Sequence, residues 1–362
     1  MKNTFGDSVS ITVFGESHGA SVGAVLDGIA PGIPVDNDYI AHRLDLRRPS
    51  GAVSTARRET DEFTIESGVY RGKTTGTPIC IMMKNTDVRS SDYDMLDGIA
   101  RPSHADYAAY CKYHGFEDAR GGGHFSGRLT APIVAVGAIA LDALRNKGIY
   151  IGTHLAKCAG ISDRSFDDYA DDIGMLEDLY FPVLSDDAGE RMRQAIMLAK
   201  ADGDSVGGVL ETAVIGLPAG IGEPFFDSLE GKLSHAMFSI GGVKGIEFGD
   251  GFALAGMRGS EANDPMHMEN GVAVTDKNSG GGIYGGISNG MPVVFRTAVK
   301  PTPSIGIEQD TVNYRTGENT TVLIAGRHDP CIAHRARAVV DSLAAIAICD
   351  ALALRYGTDY LA

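Results

Sequence analysis

The residues best equipped for chemistry in this chain sit on short glycine-rich loops. Phe14-Gly15-Glu16-Ser17-His18-Gly19 sets a serine and a histidine between glycines at the end of a predicted strand. An imidazole exposed in this way can move a proton near neutral pH. Taken alone, the hexapeptide reads first as a turn carrying a structural histidine, and it is not a hydrolase elbow because the GxSxG spacing is absent. Arg43, Arg47, Arg48, Arg57 and Arg58 fall within 16 residues of an acidic chain. The first three lie near a predicted helix C-terminus, where cations complement the dipole. Five are more than capping needs, and planar guanidinium forks grip phosphate or carboxylate through paired hydrogen bonds.

Four further loops extend the set. Arg101-Pro102-Ser103-His104-Ala105-Asp106-Tyr107 places His104 at a helix start, where a lone histidine is more often a cap than a catalyst. Arg120-Gly121-Gly122-Gly123-His124-Phe125-Ser126-Gly127-Arg128 runs into a long apolar segment, a setting that offers backbone N–H groups to an anion, or else simply a tight turn. It is neither a Walker loop nor a dinucleotide fingerprint. Gly241-Gly242 and the glycines of 279–290 lead towards Lys300-Pro301-Thr302-Pro303-Ser304, whose lysine and threonine suit a phosphate and whose prolines keep the loop extended. Arg327-His328-Asp329-Pro330 precedes the last helix. No companion ligands stand at recognisable spacing around His328 and Asp329, so no metal is expected.

The whole-chain figures set the frame for these loops. Glycine accounts for 47 of 362 residues, well above an average of about 7%, and it clusters instead of repeating. Net charge is -15, which disfavours nucleic acid or an acidic membrane as partner and requires any anion site to be a local basic patch. Five cysteines (Cys80, Cys111, Cys158, Cys331, Cys349) form no CxxC pair and leave one over, which suits reduced thiols. No run of about 18 apolar residues and no N-terminal apolar core is found, so a cytoplasmic protein is expected.

The elements that must position the loops follow from periodicity and punctuation. Residues 8–14 alternate as a half-buried strand, and Asp36 caps a helix that Pro49 stops after Arg48. Strands are expected at 76–84, 148–156, 208–216, 243–248, 252–259 and 291–299, with helices at 104–114, 187–202 and 227–239. Segments 130–146, with a threonine cap, and 331–356 are apolar on most faces, which predicts two buried helices through the centre of the protein. Residues 160–187 are acidic and read as a surface excursion. No linker or repeat divides the chain, so one integrated domain over 1–362 is expected.

In order along the chain, FGESHG at 14–19, DGIAPGIP at 27–34, RRP at 47–49, RRETDE at 57–62, NTDVRSSDY at 85–93, RPSHADY at 101–107 and RGGG at 120–123 are followed by GDSVGG at 203–208, GIGEPFFD at 220–227, SIGGVKGIEFGDGF at 239–252, GGISNG at 285–290, KPTPSI at 300–305 and GRHDPC at 326–331. This collinear series resembles the chorismate synthase family over nearly the whole chain. The resemblance implies an α+β fold, a β-α-β sandwich with central helices between two antiparallel sheets, assembled as a homotetramer. It implies a carbon–oxygen lyase that needs reduced FMN without net redox change and converts 5-enolpyruvylshikimate 3-phosphate to chorismate by 1,4-anti elimination. By motif, His18 is similar to the histidine that protonates the departing phosphate, His104 to the one serving the reduced flavin, and Asp329 to an aspartate near flavin N5. The same resemblance assigns flavin contacts to His124, Phe125, Ser126, Gly241, Gly242, Gly285, Lys300, Pro301, Thr302, Pro303, Ser304 and Arg327. It assigns the substrate anions to Arg47, Arg57, Arg58, Arg128, Arg327 and Arg335.

The chain departs from the commoner family pattern at His124-Phe125, where arginine-serine is usual, at Gly241-Gly242, where asparagine-alanine is frequent, and in 49–56, which lacks an arginine. With no dinucleotide fingerprint, an external flavin reductant is expected in place of self-reduction by NADPH. Two rival readings remain at this stage. A flavoprotein oxidoreductase would consume reductant at each turnover, and an anion-binding module would bind without releasing phosphate.

Overall fold

The two apolar segments do become the centre of the protein. The computed structural model describes residues 2–54, 60–85, 98–324 and 329–362. The Thr130–Arg145 helix is buried along almost its whole length, and so is the 24-residue Ala333–Tyr356 helix. They cross closely because small residues meet: a Cβ on Gly137 would stand 2.2 Å from the Ser342 Cβ. An alanine there would have to push the helices apart. With the turn before it, the first helix forms the one segment among the described residues, Gly127–Arg145, long and apolar enough to span a membrane, but 72% of its 18-residue apolar window is buried inside the protein.

Each central helix is covered by an antiparallel sheet. The first sheet has the order Thr4–Phe5, Ser10–Gly15, Ser21–Asp27, Ile79–Lys84, Phe63–Ser67. Its inward residues alternate as a one-sided sheet demands, with Val22, Ala24, Leu26, Ile79, Ile81 and Met83 buried. The Thr130–Arg145 helix packs against it. The second sheet has the order Val243–Phe248, Val293–Val299, Gly208–Ile215, Tyr150–Cys158, Ile161–Ser162, and it lies on the Ala333–Tyr356 helix. The Asn37–Arg47 helix wedges beside both central helices. It is capped by Asp36, whose carboxylate accepts from the N–H groups of Asp38 and Tyr39. This is the expected sandwich.

Polar groups on the C-terminal helix fasten the layers. Asp341 takes the buried Arg43 guanidinium at 2.6 Å and the Thr153 hydroxyl at 2.5 Å. Asp350 Oδ1 accepts from three successive N–H groups, Asp7, Ser8 and Val9, at 2.7–3.1 Å, while Oδ2 takes Lys232 Nζ at 2.8 Å. A buried carboxylate needs such donors to stay ionised without penalty.

Three expectations need correction. Residues 252–259 do not form a strand: Gly251–Gly256 is a 3-10 turn and Gly259–Ala262 a single helical turn. Gly251 has φ +53, and Glu247 Oε2 accepts from the Phe252 N–H at 3.1 Å, which turns the chain away from its sheet. The acidic stretch 160–187 is no mere excursion. Its Tyr169–Leu176 helix lays Ile173 onto Gly152 of the second sheet, and its acids have structural work. Asp168 caps that helix, Asp172 pairs with Arg164, and Asp163 holds His154 at 3.0 Å. The cap before the first central helix is Ser126, not Thr130, because a 3-10 turn at Gly127–Leu129 precedes the helix.

Candidate active site

The strand Ser10–Gly15 ends at a left-handed glycine, φ +99, and the tight turn that follows delivers His18. The ring lies directly on Gly121, where a Cβ would stand 2.0 Å from His18 Cε1 and 2.1 Å from Nδ1. Only glycine fits there, and Gly121 also has φ +61. Ser17 reinforces the junction: its N–H donates to Gly123 O at 3.1 Å and its Oγ to Arg120 O at 3.3 Å. With its proton so directed, the hydroxyl accepts from His18 Nδ1–H across 3.2 Å.

His104 arrives from the loop before the Asp106–Tyr113 helix, and Ser103 turns it through φ +59. Its Nε2 lies 2.8 Å from Ser304 Oγ, which joins loops 200 residues apart. Lys300 Nζ donates to Ser103 O at 2.6 Å from the same side. Partial burial, with Lys244 nearby, lowers the Lys300 ammonium below the usual lysine value. Arg101 grips Asp106 in a two-point fork at 2.8 and 2.7 Å. Burial alone would raise the Asp106 carboxyl, and that fork more than reverses it.

The arginines gather on a carboxylate that sequence reading did not single out. Asp61 is 2% exposed and accepts from Arg47 Nη2 at 2.7 Å, from Arg48 Nε at 3.4 Å and from Arg128 Nη1. Burial pushes its carboxyl up, but Arg47 and Arg128 hold it below the ordinary aspartate value. Asn85 fixes Arg128 from the other side, taking Nε at 3.2 Å. Its amide donates to the carbonyls of Glu16 and Gly19, closing the turn that carries His18. Across the cavity Arg335 donates to Asp329 at 2.7 Å. Asp61 and Asn85 both fall in motifs of the collinear series, Asp61 in RRETDE and Asn85 at the head of NTDVRSSDY, but neither motif tells which side chains its residue holds.

These groups line one cavity of about 1120 Å³. Small-molecule pockets run from about 300 to 1,000 Å³, so the cavity has room for a large ligand or for two smaller ones. His18, His104, Asp329, Arg47, Arg128 and Arg335 share its wall with Gly241, Gly242, Lys300, Pro301, Thr302 and Pro303. His124, Phe125 and Ser126 line it too, each with a structural tie. His124 Nδ1 donates to Gly15 O at 2.8 Å, Phe125 meets Tyr113 edge-on, and Ser126 caps the turn at Arg128. Gly285 does not join them: it sits in the tight turn between Ile283–Tyr284 and Ile287–Ser288, away from the cavity wall. Arg57, Arg58 and Arg327 lie outside the described residues.

Fold and site together define an enzyme that turns acid–base groups and several guanidiniums towards one anionic ligand, inside a two-sheet sandwich. The family model for chorismate synthase matches residues 9–353, and the chain belongs to that family. It is 45% identical over 360 residues to a chorismate synthase of Dehalococcoides mccartyi, covering 99% of this chain and 98% of the other. It is 43% identical over 350 residues to one from Pyrococcus abyssi, with 97% of each covered. A crystal structure of a chorismate synthase superposes with TM-score 0.76 at 28% identity, covering 98% of this chain and 94% of that one. The chain is therefore a lyase of aromatic amino acid biosynthesis, forming chorismate from a phosphorylated small molecule in the shikimate pathway. The family uses a flavin.

Proposed function

We propose that the cavity carries out the 1,4-anti elimination of phosphate from 5-enolpyruvylshikimate 3-phosphate with reduced FMN, His18 acting as the acid and Asp329 on the path of the ring proton. The observation that carries this reading is convergence. His18, the His104–Ser304 pair and the Asp329–Arg335 pair come from distant parts of the chain and face one basic cavity. Arg47 and Arg128 neutralise the anion that must leave, and an imidazolium at His18 supplies its proton, an acid–base contribution of about 10²–10⁴. Arg335 keeps Asp329 oriented, and Arg57 and Arg58 belong to the same basic stretch.

The residues present suit a flavin. Gly241 leaves open space where a side chain would stand, Lys300 supplies a cation, and Thr302 Oγ1 is buried with no hydrogen-bond partner among the described residues. With His124, Phe125, Ser126, Pro301, Pro303, Ser304 and Arg327 they would hold the cofactor, and His104 would serve its reduced form. When bound, reduced flavin supplies an electron-rich ring that eases loss of the phosphate without net oxidation. The protein's own part is to bind, orient and keep water out.

The same reading extends to the whole protein. Core residues from Val9 to Leu361 pack as one cluster, which supports a single domain over 1–362. The nearly bare Phe225, Phe226 and Phe252 support self-association, read as the homotetramer. A cytoplasmic enzyme with no nucleic-acid or membrane partner, supplied by an external reductant, fits the acidic surface and the absence of a dinucleotide fingerprint. The test is anaerobic phosphate release with catalytic reduced FMN, with and without NADPH. Release without flavin oxidation supports the lyase; one flavin oxidised per phosphate overturns it. Turnover of oxidised FMN on adding NADPH alone overturns the external reductant.

A further inference from the structure

The cavity's carboxylates and arginines are unevenly matched. Asp106 serves Arg101, Asp118 serves Arg120 and Asp329 serves Arg335, one carboxylate to one fork. Among the described residues Asp61 serves three, Arg47, Arg48 and Arg128, the second of them shared with Asp45 at 3.3 Å. Its side chain is fully buried, while Arg47 and Arg128 keep 9% exposure each at the cavity wall. Arg48 is more open, 28% exposed, and does not line the cavity.

Geometry separates the roles of the three. Arg47 is pinned through Nη2 to Asp61 and through Nη1 to Thr130 Oγ1 at 3.3 Å. Arg128 is pinned through Nη1 to Asp61, Nε to Asn85 and Nη2 to Lys84 O at 3.4 Å. The two oxygens of one carboxylate thus set two guanidinium planes against each other, Oδ2 for Arg47 and Oδ1 for Arg128. Asp61 stands at φ +48, a backbone state that is costly for a residue with a Cβ, so the surrounding structure holds it there. A flexible arginine gains an anion weakly because it must be ordered on binding, whereas one already fixed does not.

We propose that Asp61 is a positioning residue for the elimination: it fixes the planes of Arg47 and Arg128 at the cavity wall so that both meet the substrate anion without rearrangement. This rests on the functional reading above. Asp61 itself touches no reacting atom.

The test compares Asp61→Asn, Arg48→Gln and the double variant Asp61→Asn/Arg48→Gln, each assayed with reduced FMN under anaerobic conditions. Asparagine keeps the shape of Asp61 and removes its charge; the double variant restores the wild-type net charge without restoring the central acceptor. Arg48→Gln is expected to release phosphate within about threefold of wild type. The double variant is expected to melt within a few degrees of wild type yet raise KM for the substrate at least tenfold, with kcat lowered less. It should also weaken inhibition by inorganic phosphate by a similar factor. A folded double variant with wild-type KM and phosphate inhibition would overturn the proposal, since Asp61 would then only balance charge. Failure of both Asp61 variants to fold would overturn it too, because the carboxylate would be holding the fold and not the arginines. A wild-type chain that releases no phosphate would instead remove the functional reading beneath it.

Discussion

Two buried ionic clusters in this molecule are built from similar parts and balanced differently. On the outer face of the second sheet, His154 lies between Asp163 and Glu211 at 3.0 Å each, and Arg296 joins Glu211 to Glu247 at 3.3 and 2.8 Å. Three carboxylates face one guanidinium and one imidazole, so protonating the imidazole brings the count closest to balance. At the cavity wall Asp61 holds Arg47, Arg48 and Arg128, with Asp45 sharing Arg48. In the first cluster carboxylates converge on two cations; in the second, guanidiniums converge on one buried carboxylate beside a cavity. A buried charge needs a partner, so the first serves the fold, while the second also sets two guanidiniums where a substrate anion is proposed to bind.

The sharpest way to break this contrast is at the chemical groups themselves. His18→Ala and Asp329→Asn should each fold with an unchanged melting temperature and lower phosphate release by about 10²–10⁴. A rate near wild type in either variant would remove that residue from the mechanism. His154→Gln should do the reverse. It leaves Asp163 and Glu211 buried with a charge partner lost, so stability should fall by about 3–5 kcal/mol in chemical denaturation while the folded enzyme keeps its kcat. A loss of kcat at unchanged stability would mean that the two clusters are not separable.

A subtler probe is Gly121→Ala. The new methyl cannot share space with the His18 ring, and misplacing a catalytic group by about 1 Å costs of order 10²-fold. Rate and melting temperature, measured together, should show kcat falling much more than stability. The pH dependence sharpens the comparison further. Burial alone would lower the His154 imidazole, but the hydrogen bonds it donates to Asp163 and Glu211 raise it above the ordinary 6.5. Its stabilisation is therefore complete below about 6.5 and is lost as pH climbs through the raised folded value. Asp61, held low, contributes above the ordinary 3.8 and loses its contribution only as acid takes the pH down through its folded value. Melting temperature followed from pH 5 to 9 should decline on the alkaline side in wild type and flatten there in His154→Gln; parallel curves would contradict the assignment. The smallest effect is expected from Thr302→Val, which removes a buried hydroxyl lacking a partner among the described residues. Stability should change by less than about 0.5 kcal/mol, while FMN affinity, read by fluorescence quenching, falls a few-fold.

The central helices and most strands were legible because burial on all sides, or on alternate residues, writes itself into local sequence. Thr130–Arg145 and Ala333–Tyr356 match their predicted spans within a few residues. The segment 252–259 was misread because alternation alone does not tell a strand from a turn whose N–H groups are taken by Glu247. The acidic stretch 160–187 was misread because acids that cap and pair look, in sequence, like acids that face water. Loop residues such as His18 and His104 were legible as chemistry only through the shared order of many motifs. Asp61 and Asn85 were not, since their roles lie in partners that the sequence holds 67 and 43 residues away.

The layering has a consequence for how the protein is made. The inner surface of the second sheet is covered by a helix that begins at Ala333, close to the end of the chain. A ribosome releases residues from the N-terminus onward, so both sheets and the Thr130–Arg145 helix emerge before Ala333–Tyr356, which packs between them. Until that helix clears the exit tunnel, the apolar face formed by Leu155, Leu210 and Val214 lacks the helix that covers it. Closure of the second sheet, and with it the placing of Arg335 at the cavity wall, waits for the Ala333–Tyr356 helix. Chains arrested before Tyr356 should be cut readily by protease and caught by chaperones, whereas released chains should be neither.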